Sequence, residues 1–342
     1  MLADRSIRRD LLLGSPLMKD IGLVGVPFSG KSTLFTALTR AGAKGGSASQ
    51  AVATVPDPRV ETLATMERSR KIVHAQVRFT DVPGGTSSAH GIAQLRSMDA
   101  LAIVIRAFGG DAKPAAELAE VTADLLLADM AVVDSAFEKA QKRARGKPSP
   151  EVDALARARD SLHAERLLRD AGLTEEEAKQ LRAIGPLTGK PWVVVANLEE
   201  GTEVPPELPD GTVGVWAAIE SETAEMEPEE ARALLDEFGV HEPGLDAVVH
   251  ASYRALDLIT FLTTGEDETR AWEVPRGAKA PEAAGAIHTD LERGFIRAEV
   301  ISFDDLVAAG SMEEAKHKGL IRVEGKDYVV REGDVLNVRF AV

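Results

Sequence analysis

The apolar positions of the chain change period several times, and each change marks an element. IGLV (21–24) is a short continuous apolar run, the signature of a buried strand. A glycine-rich turn follows, and KSTLFTALTRAG (31–42) then spaces its apolar residues as a helix ending at Gly42. AKGGSASQAVATVPDPR (43–59) is small, polar and punctuated, and reads as loop. Further β-branched apolar runs stand at 75–82 (AQVRFTDV), 100–108 (ALAIVIRAF), 192–197 (WVVVAN) and 211–218 (GTVGVWAA). Strands separated by helical stretches predict βαβ units, an α/β fold with a mostly parallel sheet, and ligands at the shared C-terminal strand edge.

Two segments break that rhythm. Leu126, Met130, Val133, Phe137 and Ala140 fall on a heptad-like stripe, and after RGKPSP (145–150) so do Val152, Leu155, Ala158 and Leu162. They predict an antiparallel helical hairpin inserted over 125–186. Beyond about residue 257, LITFLT, TRAWEV, GFIRAEVISF and KDYVVREGDVLNVRF alternate over short spans, predicting a small β-rich domain with one or two helices. Its Phe261, Trp272, Phe295 and Tyr328 read as core, and His288-Thr289-Asp290 as a turn. The acidic EEEAK and EMEPEE stretches read as solvated helix faces.

Composition narrows function more than fold. The chain has 342 residues, enough for two or three domains, and no cysteine, which excludes disulfides, thiolate metal sites and a cysteine nucleophile and suits a cytoplasmic protein. A net charge of −15 argues against indiscriminate binding of polyanions. Lys139, Lys142, Arg143, Arg145, Lys147, Arg157 and Arg159 nevertheless gather near the hairpin turn, either as a solvated face or as a contact for RNA phosphates. No apolar run reaches the roughly 18 residues of a membrane span, so no membrane partner is expected. Residues 1–18 have a basic start and a short apolar run, but Asp10 and the lack of an A-x-A site make a poor secretion signal. They read as a frayed or disordered extension, and nothing in the chain reads as an oligomer seam, so a monomer is expected.

The chemistry concentrates after residue 21. Gly25-Val26-Pro27-Phe28-Ser29-Gly30-Lys31-Ser32 satisfies GxxxxGK[ST], after a strand and at the start of a helix. The backbone of Phe28, Ser29, Gly30, Lys31, Ser32 and Thr33 would wrap a nucleoside triphosphate, with Lys31 as a point charge and Ser32 as a Mg²⁺ ligand. Asp81 ends a strand and opens DVPG, where a carboxylate can hold Mg²⁺ through water and the Gly84 amide can meet a γ-phosphate. Lys31, Asp81 and Gly84 are thus the candidate catalytic set. After the strand WVVVA comes Asn197-Leu198-Glu199-Glu200, where translation-factor GTPases carry Asn-Lys-x-Asp. The longer carboxylate and the missing lysine leave guanine selection unsecured, so ATP and GTP both remain open. AAIE (217–220) would bring the Ala218 backbone to the base.

These motifs, with EPGLDAVVHASYRALDLITFLTTGEDETRAWEVPRGAKAPEAAGAIHTDLERGFIRAEVISFDDL and EGKDYVVREGDVLNVRF, make the chain resemble the YchF subfamily of Obg-related P-loop NTPases over nearly everything after Met18. PDPR (56–59) also stands where that family has it. The resemblance implies a P-loop NTPase domain (19–124 and 187–257), the hairpin as a coiled-coil insert, and a C-terminal TGS domain (258–342). It implies ATP binding and hydrolysis, often in preference to GTP, and a ribosome partner held through hairpin and TGS domain, in translation or stress regulation. Asn197 and Glu200 would be a relaxed base reader, with Leu198 against the base.

The sequence also departs from the family. GGSASQAVAT (45–54) is short for a first switch, and neither Ser47, Ser49 nor Thr54 aligns with the family's Mg²⁺-covering threonine. The second switch, TSSAHGIAQL after Gly85, has lost its lysine, and Phe28-Ser29 replaces the usual Asn-Val. His90 is the nearest residue that could orient water. Slow hydrolysis is therefore expected, aided by a ribosome or K⁺. A nucleotide-binding ribosome or RNA module without turnover, a GTP-specific GTPase and an interaction scaffold are the alternatives.

Overall fold

Short apolar runs become strands and amphipathic stretches become helices in the computed structural model, which describes residues 18–41, 49–224, 226–238, 240 and 243–341. The extension through residue 17, the helix end at Gly42 and Ser47 lie outside the described residues. Contacts divide the chain into one unit of Lys19–Ala53 with Arg78–Ala255, and another that joins Thr54–Val77 to Leu256–Val342.

In the first unit β1 (Lys19–Val24) turns into α1 (Lys31–Ala41), and β2 (Gln50–Thr54) follows. The chain leaves for α2 (Pro58–Glu67) and β3 (Ile72–Val73) and returns through β4 (Gln76–Asp81). Next come α3 (Ala89–Ser97), β5 (Ala100–Ala107), α4 (Pro114–Ala144), α5 (Pro150–His163) and α6 (Glu175–Leu181). β6 (Trp192–Leu198), β7 (Val213–Val215), α7 (Ala217–Thr223), α8 (Pro228–Glu237) and α9 (Gly244–Ala255) complete the unit. The sheet order is β2-β4-β1-β5-β6-β7. β5 lies between parallel partners β1 and β6, and β7 adds parallel to β6. Every residue from Ala100 to Ile105 is fully buried, as expected of a parallel strand covered on both faces.

Residues 50–54 are not loop but an edge strand: Asp81 N donates to Ser49 O at 3.0 Å and Val55 N to Ala75 O at 2.8 Å, which sets β2 antiparallel to β4. Small, weakly β-forming side chains hid it, since Ala51 and Ala53 are its buried positions. The run at 211–218 is strand only from Val213 to Val215, and Ala217 already begins α7.

The hairpin stripe does pack as its spacing predicts. Val133, Ala140, Leu155, Ala158 and Leu162 form a core, with Leu126, Met130, Phe137 and Val152 against it. Its first helix is longer than the sequence reading placed it. α4 starts at Pro114, a favourable first helical residue, and runs 31 residues to a left-handed cap at Arg145 (φ 50°). Glu117 in its first turn accepts from the Arg106 amide of β5 at 3.0 Å, so α4 is rooted in the sheet rather than set apart from it. Arg157 pairs with Glu177 at 2.8 Å, Arg159 with Asp134 at 2.9 Å and Arg143 with Glu151 at 2.6 Å. Those three arginines are therefore committed, while Lys139, Lys142, Arg145 and Lys147 stay exposed with no ion pair among the described residues. Glu177 of the EEEAK stretch also closes a capping box with Thr174, so that stretch is not merely a solvated face.

The second unit contains β8 (Leu258–Thr263), β9 (Thr269–Pro275), α10 (Ala280–Ile287), α11 (Thr289–Arg293) and β10 (Phe295–Ser302). α12 (Phe303–Ala309), α13 (Met312–His317), β11 (Arg322–Glu324) and β12 (Asp334–Phe340) follow, so four helices stand where one or two were expected. Phe261, Trp272 and Phe295 are core, and the half-buried Tyr328 packs on them while its hydroxyl donates to Asp334 at 2.7 Å. His288 caps α11 by accepting from the Asp290 amide at 3.1 Å. The sheet order is β11-β10-β12-β8-β9-β3.

β3 in that sheet comes from residues the sequence reading gave to the nucleotide domain. It pairs parallel with β9, Ile72 opposite Thr269, and Arg70 N donates to Glu266 O at 2.9 Å. Arg59 of PDPR forks onto Asp57 at 2.8 and 2.7 Å and reaches Glu332. The segment 54–77 thus belongs with the C-terminal sheet.

Candidate nucleotide-binding site

The loop between β1 and α1 is shaped by glycines at which any side chain would crowd its neighbours. A Cβ on Gly25 would stand 2.5 Å from the Val104 carbonyl and 2.6 Å from Ser29 Oγ. Ser29 N donates to Val26 O at 3.3 Å, and the backbone turns left-handed at Phe28 (φ 67°) and Gly30 (φ 85°). Leu34 N then bonds to Gly30 O at 2.9 Å and starts the helix. The amides of Lys31, Ser32 and Thr33 are left as the unpaired donors of a helix start, where the dipole favours an anion. Ser32 and Thr33 are exposed and Lys31 is half-buried. Phe28 stands 90% exposed, so its role in the loop is its backbone geometry. Ser29 is buried, and its Oγ has no hydrogen-bond partner among the described residues.

Asp81 lies on the same edge. Arg78 near the start of β4 bonds Asp20 near the start of β1 at 3.0 Å, so these neighbouring strands run the same way. Their C-terminal ends therefore carry Asp81 and the phosphate loop side by side. The Asp81 carboxylate has no hydrogen bond or ion pair among the described residues. Gly84 is exposed with φ 76°, and Gly85 N closes the turn onto Val82 O at 3.0 Å. Ser88 caps α3 by accepting from Gly91 N at 2.9 Å, and His90 in its first turn is exposed.

The end of β6 behaves differently from its motif. Asn197 is 6% exposed and donates from Nδ2 to the Ser29 carbonyl at 3.3 Å. It braces the phosphate loop from below: a Cβ on Gly30 would fall 1.8 Å from that nitrogen. Leu198, which the family resemblance would set against a base, is 6% exposed. It is buried in the core, where it closes over Gly214 so tightly that a Cβ there would be 2.7 Å from Leu198 Cδ1. Packing on the short β7 turned it inward, which no local pattern shows. Glu199 accepts from the Gly109 amide at 3.3 Å, whereas Glu200 is exposed at the turn. Ala218 is exposed in the first turn of α7.

Below it sits Glu220, a residue the motif reading passed over. Only 2% exposed, it accepts from Trp216 N at 3.1 Å and Leu245 N at 2.8 Å, joining the starts of α7 and α9. Burial pushes its carboxyl up, against the amides of Leu245, Trp216 and Gly244, which pull it down. No capping-box spacing announces it, since it stands four residues after the N-cap Trp216 where that motif needs three. Phe108 and Glu199 were also missed; the ring of Phe108 lies 3.5 Å from where a Gly30 Cβ would be.

The parallel order puts the phosphate loop, Asp81, Asn197–Glu200 and Ala218 on one strand edge. Among the described residues no group of three or more His, Cys, Asp or Glu could cage a metal ion. The hydroxyl of Ser32 and the carboxylate of Asp81 are uncommitted hard oxygens, and these fit Mg²⁺, which needs only one or two such ligands beside phosphate. No described helix is long and apolar enough to cross a membrane.

Two family models match the chain. YchF-GTPase_C, described as a protein of unknown function, covers residues 258–341, and MMR_HSR1, described as a 50S ribosome-binding GTPase, covers 20–148. The "Ribosome-binding ATPase YchF" of Bacillus subtilis is 38% identical over 361 residues, covering 94% of this chain and 99% of the relative. The protein of that name from Escherichia coli O157:H7 is 37% identical over 358 residues, with coverage of 94% and 99%. The structure of the Schizosaccharomyces pombe YchF GTPase superposes with a TM-score of 0.85 at 26% identity, covering 94% of this chain and 97% of that one.

Proposed function

This chain belongs to the YchF family, and from that premise we propose that it is a ribosome-associated NTPase that binds and slowly hydrolyses ATP, and accepts GTP, as a conformational switch. The observation that carries the reading is the glycine-shaped loop between β1 and α1, with its unpaired helix-start amides and its brace from Asn197. Lys31 and the loop amides would neutralise the β- and γ-phosphates, and the Gly84 amide would meet the γ-phosphate. Ser32 and Asp81 would hold Mg²⁺, which supplies further charge neutralisation when bound. The uncommitted Glu200 carboxylate is an acceptor for an exocyclic amine, and its exposure suits a reader without strict base selection. Ribosome association is supported by the names of the relatives and by the exposed Lys139, Lys142, Arg145 and Lys147 at the hairpin tip, which suit RNA phosphates.

A second reading, binding without turnover, is favoured by the second switch. His90 is exposed and carries no hydrogen bond or ion pair among the described residues. Single-turnover assays with ATP and GTP, Mg²⁺ and K⁺, with and without ribosomes, separate the two. Wild type is expected to bind and cleave ATP slowly, and Lys31→Ala to lose both. Binding without cleavage, even on ribosomes, selects the second reading. No nucleotide binding by the wild type sinks both.

A further inference from the structure

The loop after Asp81 is tied to the hairpin. Gly85–Ser87 make one 3₁₀ turn, and within it Thr86 Oγ1 donates to Asp124 Oδ2 of α4 at 2.7 Å. Both side chains are half-buried. The two residues before Thr86 give the loop no stiffness of their own, since Gly84 (φ 76°) and Gly85 (φ 44°) sit in backbone conformations that cost glycine little and leave it free. Folding of the neighbouring helix does not need the bond. Ser88 already caps α3, and Arg96 at the other end of α3 pairs with the fully buried Asp129 at 2.7 Å. What the Thr86–Asp124 bond adds is restraint on the backbone that carries Gly84.

The same helix leads to the basic tip. α4 has neither Gly nor Pro after Pro114, the residues at which helices most often kink. Asp124 and Lys142 are 18 residues apart on it, about 27 Å at 1.5 Å per residue. We propose that Thr86 and Asp124 are positioning residues for nucleotide hydrolysis, their bond fixing the loop at Gly84 and connecting it, through α4, to a partner seated on the hairpin tip. The inference rests on the nucleotide site proposed above.

The test compares wild type with Thr86→Val, Asp124→Leu, Asp124→Asn and the Thr86→Val/Asp124→Leu double variant. Nucleotide Kd, the single-turnover rate and the nucleotide-induced change in amide exchange over 118–130 are measured for each. Loss of a hydrogen bond to a carboxylate is expected to slow turnover about tenfold in Thr86→Val and Asp124→Leu, with Kd unchanged. The double variant is no slower than the slower single, and Asp124→Asn, which keeps an acceptor, recovers most of the rate. Nucleotide changes exchange in α4 of the wild type but not of Thr86→Val. Unchanged rates, additive effects, or a Kd that weakens in step with the rate would overturn the proposal. If the wild type binds without cleaving, the hydrolysis reading fails and the exchange arm decides alone: transmission to α4 that Thr86→Val abolishes supports the link, and its absence refutes it. If the wild type binds no nucleotide, both readings fall.

Discussion

Gly30→Ala tests whether the phosphate loop and the end of β6 are one rigid piece. The added Cβ meets two obstacles. At φ 85° an L side chain is strained, by about 1–2 kcal/mol. It would also lie 1.8 Å from Asn197 Nδ2, far inside contact distance, with Asn197 Cγ at 3.1 Å. The buried amide must swing away, breaking its bond to Ser29 O, and an unsatisfied buried group costs about 1–3 kcal/mol. The penalty of roughly 2–5 kcal/mol falls on the loop geometry, so it emerges as a fall in nucleotide affinity of about 30-fold to 5,000-fold. Isothermal titration with ATP and Mg²⁺ measures it. Asn197→Gly in the same background removes the clash but neither the φ strain nor the loss of the bond to Ser29 O, and is expected to recover only part of the lost free energy. Unchanged affinity in Gly30→Ala would show that Asn197 is not the brace of the loop.

Two further outcomes follow from buried charge. Asp129→Ala strips partners from Arg96, the Leu187 and Thr188 amides and the Thr188 hydroxyl at once, and should lower stability in urea by about 3–5 kcal/mol; a loss under about 1 kcal/mol refutes the clamp. Glu220 has its carboxyl pushed up by burial, with Asp246 on α9 adding to the rise, so folding favours its protonated form. Its contribution is full below the unfolded-state value and declines as pH rises through the raised folded value. Measured against Glu220→Gln by urea titration, the wild type should therefore lose relative stability as pH rises above the ordinary carboxyl range. A pH-independent difference, or one of opposite sign, would mean that the amide bonds of Glu220 outweigh its burial.

Much of this protein is legible locally. The GVPFSGKS turn between an apolar run and a helix, the stripe from Leu126 to Ala140, and the β-branched run at 100–105 each declare themselves within one period of a helix or strand. That is enough to place the phosphate loop, the hairpin and the shared strand edge. The rest depends on partners distant in sequence. β2 is a strand only because β4 offers hydrogen bonds to small residues of low propensity. Residues 54–77 join the C-terminal sheet because Ile72 and Arg70 find their partners on β9 and at Glu266. Leu198 faces inward because Gly214 leaves room for it, and Asn197 meets Ser29 because parallel pairing brings β1, β5 and β6 to a common edge. Sequence alone determined which segments could form elements and bind phosphate, since backbone conformation and periodic burial are local. Which side chains brace, clamp or face the ligand was decided by packing in the tertiary structure, because each such contact joins residues that only the folded chain brings within a few ångströms.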